Sequence, residues 1–170
     1  MNVQIEQLTE KELDKFYNLF SKLIKSEFPD LTEKIVHYIL NNKRAWTKSS
    51  YKYSFKIGGR ILLGAFESEK LVGIVDAWLP FGGVSFLNWL LVDGTYQRQG
   101  IGRKLLKELE NIFKKHGGHS IYIYTAERNI PFYQKQGFEL IGMYKKSWYG
   151  LDKYIMSKLI QEPREENFLK

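Results

Sequence analysis

The stretch Trp89–Lys107, WLLVDGTYQRQGIGRKLLK, decides the fold. Trp89, Leu90, Leu91 and Val92 read as the end of an apolar strand, and Asp93-Gly94 is a turn dipeptide. From Ile101 onward, Leu105, Leu106, Leu109, Ile112 and Phe113 recur at helical spacing. Between strand and helix lies Gln97-Arg98-Gln99-Gly100-Ile101-Gly102. The first turn of a helix leaves backbone N–H groups unpaired, and the helix dipole adds partial positive charge there. Glycines let a phosphate approach such a backbone closely. Arg98, Arg103 and Lys104 place full positive charges around the same turn. The plainer alternative is a surface helix start with a solvated basic face.

The loop is neither of the two commonest phosphate signatures. GxxxxGK[ST] is absent, and the third glycine of GxGxxG is replaced by Leu105. What remains, Q-x-x-G-x-G after an apolar strand and before an amphipathic helix, resembles the pyrophosphate loop of the GNAT superfamily of N-acetyltransferases. Some thirty residues on, Phe132-Tyr133-Gln134-Lys135-Gln136-Gly137-Phe138 resembles the other hallmark of that family. The resemblance runs from about Leu71 to about Ile160. A weaker resemblance, carried by Tyr149, Asp152 and Met156, is to enzymes that acetylate protein N-termini, including ribosomal-protein alanines.

The resemblance implies a set of roles. Gln97, Arg98, Gln99, Gly100, Ile101, Gly102 and Arg103 would hold the diphosphate of acetyl-CoA, mostly through backbone N–H groups. Leu90, Leu91 and Val92 would offer backbone groups to the pantetheine arm and the thioester carbonyl, on a strand splayed from its neighbour. Their side chains equally suit plain core packing. Tyr133 stands where the family places the acid that protonates the CoA thiolate, or it is one of an aromatic pair buried by a short helix. Asn129 lies four residues before Tyr133, whereas the family asparagine lies seven before, at Ala126 here. Tyr149 would meet the first residues of a peptide acceptor, or it belongs to a hairpin with amphipathic aromatics.

A general base is not obvious. The strand SFLNWLLV carries Asn88 but no acid, and SIYIYT carries none either. Asp76, inside the apolar run Leu71 to Leu79, is the remaining carboxylate of interest. It is either desolvated, with a raised pKa, or on a wet face paired with a lysine. Asp93, Glu127 and a water-mediated route are the other options.

Composition bounds the rest. The 170 residues include 44% hydrophobic and 15% aromatic side chains, enough for a core and against disorder. Cysteine is absent, which excludes disulfides, thiolate metal sites and a cysteine nucleophile. His37, His116 and His119 are scattered, so no metal is expected. No secretory leader or membrane span is read, and a cytoplasmic protein is expected. The formal charge of +7 favours anionic partners. Acetyl-CoA fits this, and no nucleic-acid-binding signature is present.

In chain order, Val3 to Leu8 reads as a strand. Thr9 with Glu12 forms a capping box ahead of a helix carrying Leu13, Phe16, Phe20 and Ile24. Asp30 with Glu33 is expected to cap a second helix. Thr47 to Gly59 lacks a pattern and is read as a loop or irregular strand, or a mobile wall of the acceptor site. Ile61 to Glu67, Leu71 to Leu79 and Ser85 to Val92 are strands. The long helix stops at Gly117-Gly118, Ser120 to Thr125 is a strand, and a short helix spans Pro131 to Gln136. Glu139 to Trp148 and Lys153 to Ile160 form a closing hairpin. The expected fold is α/β (α+β): a mixed, mostly antiparallel sheet of about six to seven strands with helices on both faces. One domain over residues 1–160 and a charged tail over 161–170 are expected.

The expected function is transfer of an acetyl group from acetyl-CoA to an amine, a protein N-terminus or a small amine or polyamine, by a monomer or homodimer. The competing readings are a non-catalytic acyl-CoA-binding module and a nucleic-acid binder.

Overall fold

The computed structural model describes residues 2–41 and 46–168. Seven strands form one sheet in the order β1-β2-β3-β4-β5-β7-β6. They are β1 (Val3–Gln7), β2 (Arg60–Glu67), β3 (Lys70–Trp78), β4 (Val84–Val92), β5 (Ser120–Thr125), β6 (Glu139–Tyr144) and β7 (Lys153–Leu159). The described helices are α1 (Leu13–Glu27), α2 (Glu33–Asn41), α3 (Lys48–Ile57), α4 (Ile101–Lys115), α5 (Ile130–Lys135) and α6 (Glu165–Phe168). The chain divides into two compact units, Met1–Asp76 with Trp89–Leu106 and Ala77–Asn88 with Lys107–Lys170, whose boundaries fall inside β3, β4 and α4.

In the first unit β1 runs antiparallel to β2, from Val3↔Glu67 to Gln7↔Leu63. The capping box at the entry to α1 forms: Glu12 accepts from the Thr9 N–H at 2.8 Å and Thr9 Oγ1 accepts from the Lys11 N–H at 3.2 Å. Phe16, Phe20 and Ile24 of α1 are then fully buried. The cap of α2 differs from the expected one. Thr32, not Asp30, accepts the Ile35 N–H on its side chain at 3.3 Å, two residues later and directly ahead of the helix.

The segment Thr47 to Gly59 also differs from its reading as a loop. It is α3, opened by a capping box in which Ser50 N–H donates to Thr47 Oγ1 at 3.2 Å and Thr47 N–H to Ser50 Oγ at 3.1 Å. Tyr51 and Ser54 are its buried residues. Ser54 satisfies its hydroxyl by donating to the Ser50 carbonyl at 2.9 Å. Gly58 and Gly59, both at positive φ, end the helix.

The start of α4 rests on β3. A Cβ at Gly73 would lie 3.2 Å from Leu105 Cδ1 and 3.3 Å from Ile101 Cγ2. The missing side chain thus sets how closely the first turn of α4 approaches the sheet.

In the second unit β4 and β5 are parallel over four pairs, Val84↔Ser120 to Leu87↔Ile123. β5 and β7 are antiparallel over six pairs, and β6 and β7 are antiparallel with a register shift between Leu140 and Gly142. Lys158 of β7 donates to Glu110 of α4 at 2.6 Å, which fixes the face of this strand that α4 covers. α4 ends as expected. Gly117 takes φ +78°, and the Gly118 N–H reaches back to the Phe113 carbonyl at 2.7 Å. The charged tail is tied down. Gln161 donates to the Gly118 carbonyl at 2.6 Å, and the Asn167 backbone occupies the space beside Gly117.

Candidate functional site

The first unit supplies an exposed basic loop. Leu91 is buried in the core of this unit, while Leu90 and Val92 are half-buried. Asp93 then turns the chain, and its own N–H donates to the Val72 carbonyl at 2.9 Å. Its Oδ1 accepts from the Thr95 N–H at 3.1 Å and the Thr95 hydroxyl at 2.8 Å. Its Oδ2 accepts from Lys22 Nζ at 2.7 Å. The Lys22 hydrogen bond, followed by those from Thr95, pulls this carboxyl down from 3.8 to about 2.

Beyond a 3₁₀ turn at Gly94–Tyr96, the loop braces itself. Gln97 Nε2 donates to the Val92 carbonyl at 3.0 Å, and Gln99 Nε2 to the Thr95 carbonyl at 3.1 Å. Arg98 (φ +60°) and Gly100 (φ +81°) are both left-handed, a conformation that curls successive N–H groups toward one side. A Cβ on Gly100 would meet nothing within 4 Å, so the loop surface is open there. The first hydrogen bond of the following turn is Lys104 N–H to the Gly100 carbonyl at 3.1 Å. The N–H groups of Ile101, Gly102 and Arg103 precede it and have no acceptor in the helix. Gln97, Arg98, Gln99, Gly100, Arg103 and Lys104 are exposed, Gly102 is half-buried, and Ile101 is buried beneath them as the anchor of the turn.

The Asp93 anchor has a testable pH signature. Because its folded pKa lies below the ordinary carboxylate value, its stabilisation is complete above about pH 4 and is lost as pH falls toward 2. Lys22 is mostly exposed, so solvent screening reduces the gain to on the order of 1–2 kcal/mol. Asp93→Asn is expected to unfold more readily than the wild type at pH 7, with the gap closing by pH 2. Parallel thermal melts across that range check this, and a gap independent of pH would show that the carboxylate charge is not what braces the turn.

Asp76, also in the first unit, is fully buried. Its Oδ1 lies 2.7 Å from Arg60 Nε, and its Oδ2 accepts from the Tyr51 hydroxyl at 3.1 Å. The Arg60 guanidinium sits 4.6 Å from the Tyr51 ring centroid. Burial, and then the Asp76 charge, push the Tyr51 hydroxyl well above its usual range. Of the two environments read from the sequence, Asp76 therefore has the desolvated one, with an arginine as its partner. The cluster ties α3 to β2 and β3.

The second unit carries the remaining candidates. Tyr133 is buried in α5, its ring edge-on to Phe132 at 5.0 Å and to Phe138 at 5.4 Å. Its hydroxyl has no hydrogen-bond partner among the described residues, and burial pushes its pKa well above the usual value. A buried phenol ordinarily finds a partner. Asn129 is half-buried at the N-cap of α5. Its side chain makes no capping bond, and its N–H donates to the Ala126 carbonyl at 3.0 Å.

Tyr149 lies in the turn Trp148–Gly150 with φ +61° and is partly exposed. Asp152 accepts from the Lys146 N–H at 2.8 Å, and Met156 is buried opposite Ile123. Both therefore have structural duties in the hairpin.

Four aromatic residues were missed by the sequence reading. Phe86 stacks on Tyr122 at 4.8 Å, Tyr122 meets Tyr124 edge-on at 6.1 Å, and Tyr124 meets Trp148 edge-on at 4.8 Å. The signal lies in SIYIYT. Ile121, Ile123 and Thr125 are buried, while the alternating Tyr122 and Tyr124 are half-buried on the other face. Among the described residues no group of three or more His, Asp or Glu side chains is placed to hold a metal ion. Among the same residues, no helix is long and apolar enough to cross a membrane.

The family model described as acetyltransferase (GNAT) family matches residues 17–138. The chain belongs to this family. The match includes the loop at Gln97–Arg103 and ends on Phe138 of the second motif. Among curated proteins, zebrafish (Danio rerio) N-alpha-acetyltransferase 50 is 38% identical over 76 residues, 40% of this chain and 45% of that protein. Spermidine N(1)-acetyltransferase of Thermoplasma acidophilum is 31% identical over 83 residues, 47% of this chain and 51% of that protein. The GNAT chain thus spans about half the length of these curated relatives. Among solved structures, PaiA N-acetyltransferase from Thermoplasma acidophilum in complex with coenzyme A matches with a TM-score of 0.78. That match has 23% identity and covers 94% of this chain and 99% of that one, a likeness of fold.

Proposed function

We propose that this GNAT protein is an acetyl-CoA-dependent N-acetyltransferase acting on an amine. The observation that carries the proposal is the turn at Arg98–Arg103. Two left-handed residues and the unpaired N–H groups of a helix start share one exposed surface with Arg98, Arg103 and Lys104. That donor set suits a diphosphate. The backbone of Leu90, Leu91 and Val92 serves the pantetheine arm, within the limit that the Val92 carbonyl already accepts from Gln97. Asn129, with its side chain unused as a cap, is assigned to the same arm. We also assign the chain to one domain, since β3, β4 and α4 each run through both compact units.

In the transfer, the acceptor nitrogen attacks the thioester carbonyl carbon, the C–S bond breaks, and the sulfur leaves as thiolate. Tyr133 supplies its proton to that sulfur, and the nitrogen sheds one of its own to water, from which the tyrosine regains its proton. Asp76 is poorly suited to receive the second proton. Both of its oxygens are engaged, one beside a guanidinium that favours the charged form and one by Tyr51. Asp93 is committed to Lys22 and Thr95. With Asp76 and Asp93 occupied in this way, the acceptor is expected to be an amine already partly neutral near pH 7. An α-amino group, with a pKa of about 7.7–8.0, meets this better than a lysine side chain near 10.4.

We therefore propose a peptide or protein N-terminus as acceptor, with Tyr149, Trp148 and Tyr124 forming its aromatic wall. The partial match to N-alpha-acetyltransferase 50 supports this reading, and the one to the spermidine enzyme supports a polyamine instead. The test is a paired assay at equal concentration of free-N-terminus peptides, N-blocked lysine peptides and polyamines. Free N-termini are expected to be acetylated fastest, by about tenfold or more. Polyamines or lysine peptides winning by that margin would overturn the acceptor assignment. CoA binding without turnover of any amine would point to the non-catalytic reading.

A further inference from the structure

Between Asp76 and Glu108 the sequence carries one acidic residue, Asp93. It stands four residues ahead of Gln97, where the basic loop begins. A negative charge there opposes a polyanionic ligand. Its oxygen has a local use, because Oδ1 takes the Thr95 N–H and hydroxyl and so closes the 3₁₀ turn. The Thr95 carbonyl in turn accepts from Gln99 Nε2 at 3.1 Å. Thr95 thus links the carboxylate to the loop. Asp93 is also buried, at 6% exposure, so water screens its charge poorly. Its pKa of about 2 keeps it ionised at neutral pH.

One side chain from elsewhere in the first unit meets the other oxygen. Lys22 of α1 reaches Asp93 Oδ2 at 2.7 Å, from 71 residues away in the chain. Its neighbours Phe20, Leu23 and Ile24 are buried in the core, while the Lys22 side chain is 68% exposed. We infer that Lys22 is a positioning residue for the cofactor: it holds and neutralises Asp93, so that the turn keeps its closing carboxylate without repelling the diphosphate of CoA. This rests on the seating of the diphosphate at Arg98–Arg103 proposed above. With Lys22 in place the pair carries no net charge. Without it, Thr95 still holds the carboxylate, and a bare negative charge stays beside the loop.

Calorimetry with CoA on the full chain at pH 7 tests this. Lys22→Ala is expected to weaken binding about five- to tenfold. Lys22→Arg keeps the charge and should stay within about twofold of the wild type. Lys25→Ala removes the same charge from an exposed site further along α1, and should also stay within about twofold. Asp93→Asn keeps the oxygen that closes the turn and removes the charge, so it should bind CoA at least as tightly as the wild type. Lys22→Ala combined with Asp93→Asn should then bind like Asp93→Asn alone, although it has lost the ion pair altogether. A merely structural brace predicts the opposite, since Asp93→Asn would weaken binding as Lys22→Ala does. Melts check that every variant is folded at the titration temperature. Unchanged affinity in Lys22→Ala, where Gly102→Asp has lost binding, would overturn the inference and leave the loop assignment standing. Unchanged affinity in both would overturn the loop assignment and this inference with it. A loss in Lys22→Ala that Asp93→Asn does not reverse would show that Lys22 acts by some route other than masking the carboxylate, and would also overturn it.

Discussion

Gly102→Asp is expected to weaken acetyl-CoA binding by at least about 100-fold while leaving the protein folded. That factor corresponds to about 2.7 kcal/mol. Gly102 is the second residue of α4, half-buried between exposed Gly100 and Arg103. An aspartate there puts a carboxylate where the proposal seats a diphosphate, adding bulk and like-charge repulsion together. The same change is favourable to the helix, because an acidic residue in the first turn complements the dipole, and glycine is a poor helix former. Binding and stability are therefore expected to move in opposite directions. Calorimetry with CoA, beside a thermal melt, separates the effects. Unchanged affinity in a folded variant would remove the loop from the binding site. Gly100 is the wrong position for this experiment, since its φ of +81° would strain any side chain.

The strand–turn–helix around Trp89–Lys107 was legible because three local signals agree there. The apolar run, the Asp93-Gly94 turn and the switch to helical spacing each name one piece, and none depends on a distant partner. The closing hairpin, the Gly117-Gly118 stop and the Thr9–Glu12 box were legible for the same reason. α3 was not, because its buried face is built partly from Ser54. That serine is acceptable inside because its hydroxyl donates to the Ser50 carbonyl. Hydrophobic periodicity cannot see such a face. Thr32 displaced Asp30 as the cap of α2 through geometry alone, since both residue types cap well.

The surroundings of the carboxylates were hidden for a different reason. Asp76 meets Tyr51 from 25 residues away, and Asp93 meets Lys22 from 71 residues away. No local pattern reports such pairs. The aromatic ladder was half visible: Tyr122 and Tyr124 alternate with Ile121 and Ile123, but Phe86 joins them through its register with Tyr122, and Trp148 from the turn ahead of β7.

Tyr133→Phe is expected to lower kcat by about 10–100-fold with little change in KM for acetyl-CoA and no loss of stability. The ring stays between Phe132 and Phe138, so packing is retained. The deleted hydroxyl has no partner among the described residues, so its removal breaks no hydrogen bond within the protein. Its contribution is made where negative charge appears on the departing sulfur, so the loss falls on kcat and not on ground-state binding. The size follows from acidity. A phenol is ordinarily near 10 and a thiol near 8.5, and burial pushes the Tyr133 hydroxyl further up. Proton donation to a thiolate is thus uphill, and the hydroxyl acts first as a hydrogen-bond donor that holds the nascent charge. That places the effect at the lower end of the roughly 10²–10⁴-fold range of general-acid roles, or just below it. The raised pKa also keeps Tyr133 protonated through neutral and mildly alkaline pH, so no fall in kcat from its ionisation is expected below about pH 10. Steady-state kinetics from pH 6 to pH 9, with a melt of each protein, test all three expectations. An unchanged kcat would return Tyr133 to a packing role. An equal fall in stability would show that the hydroxyl is a structural anchor.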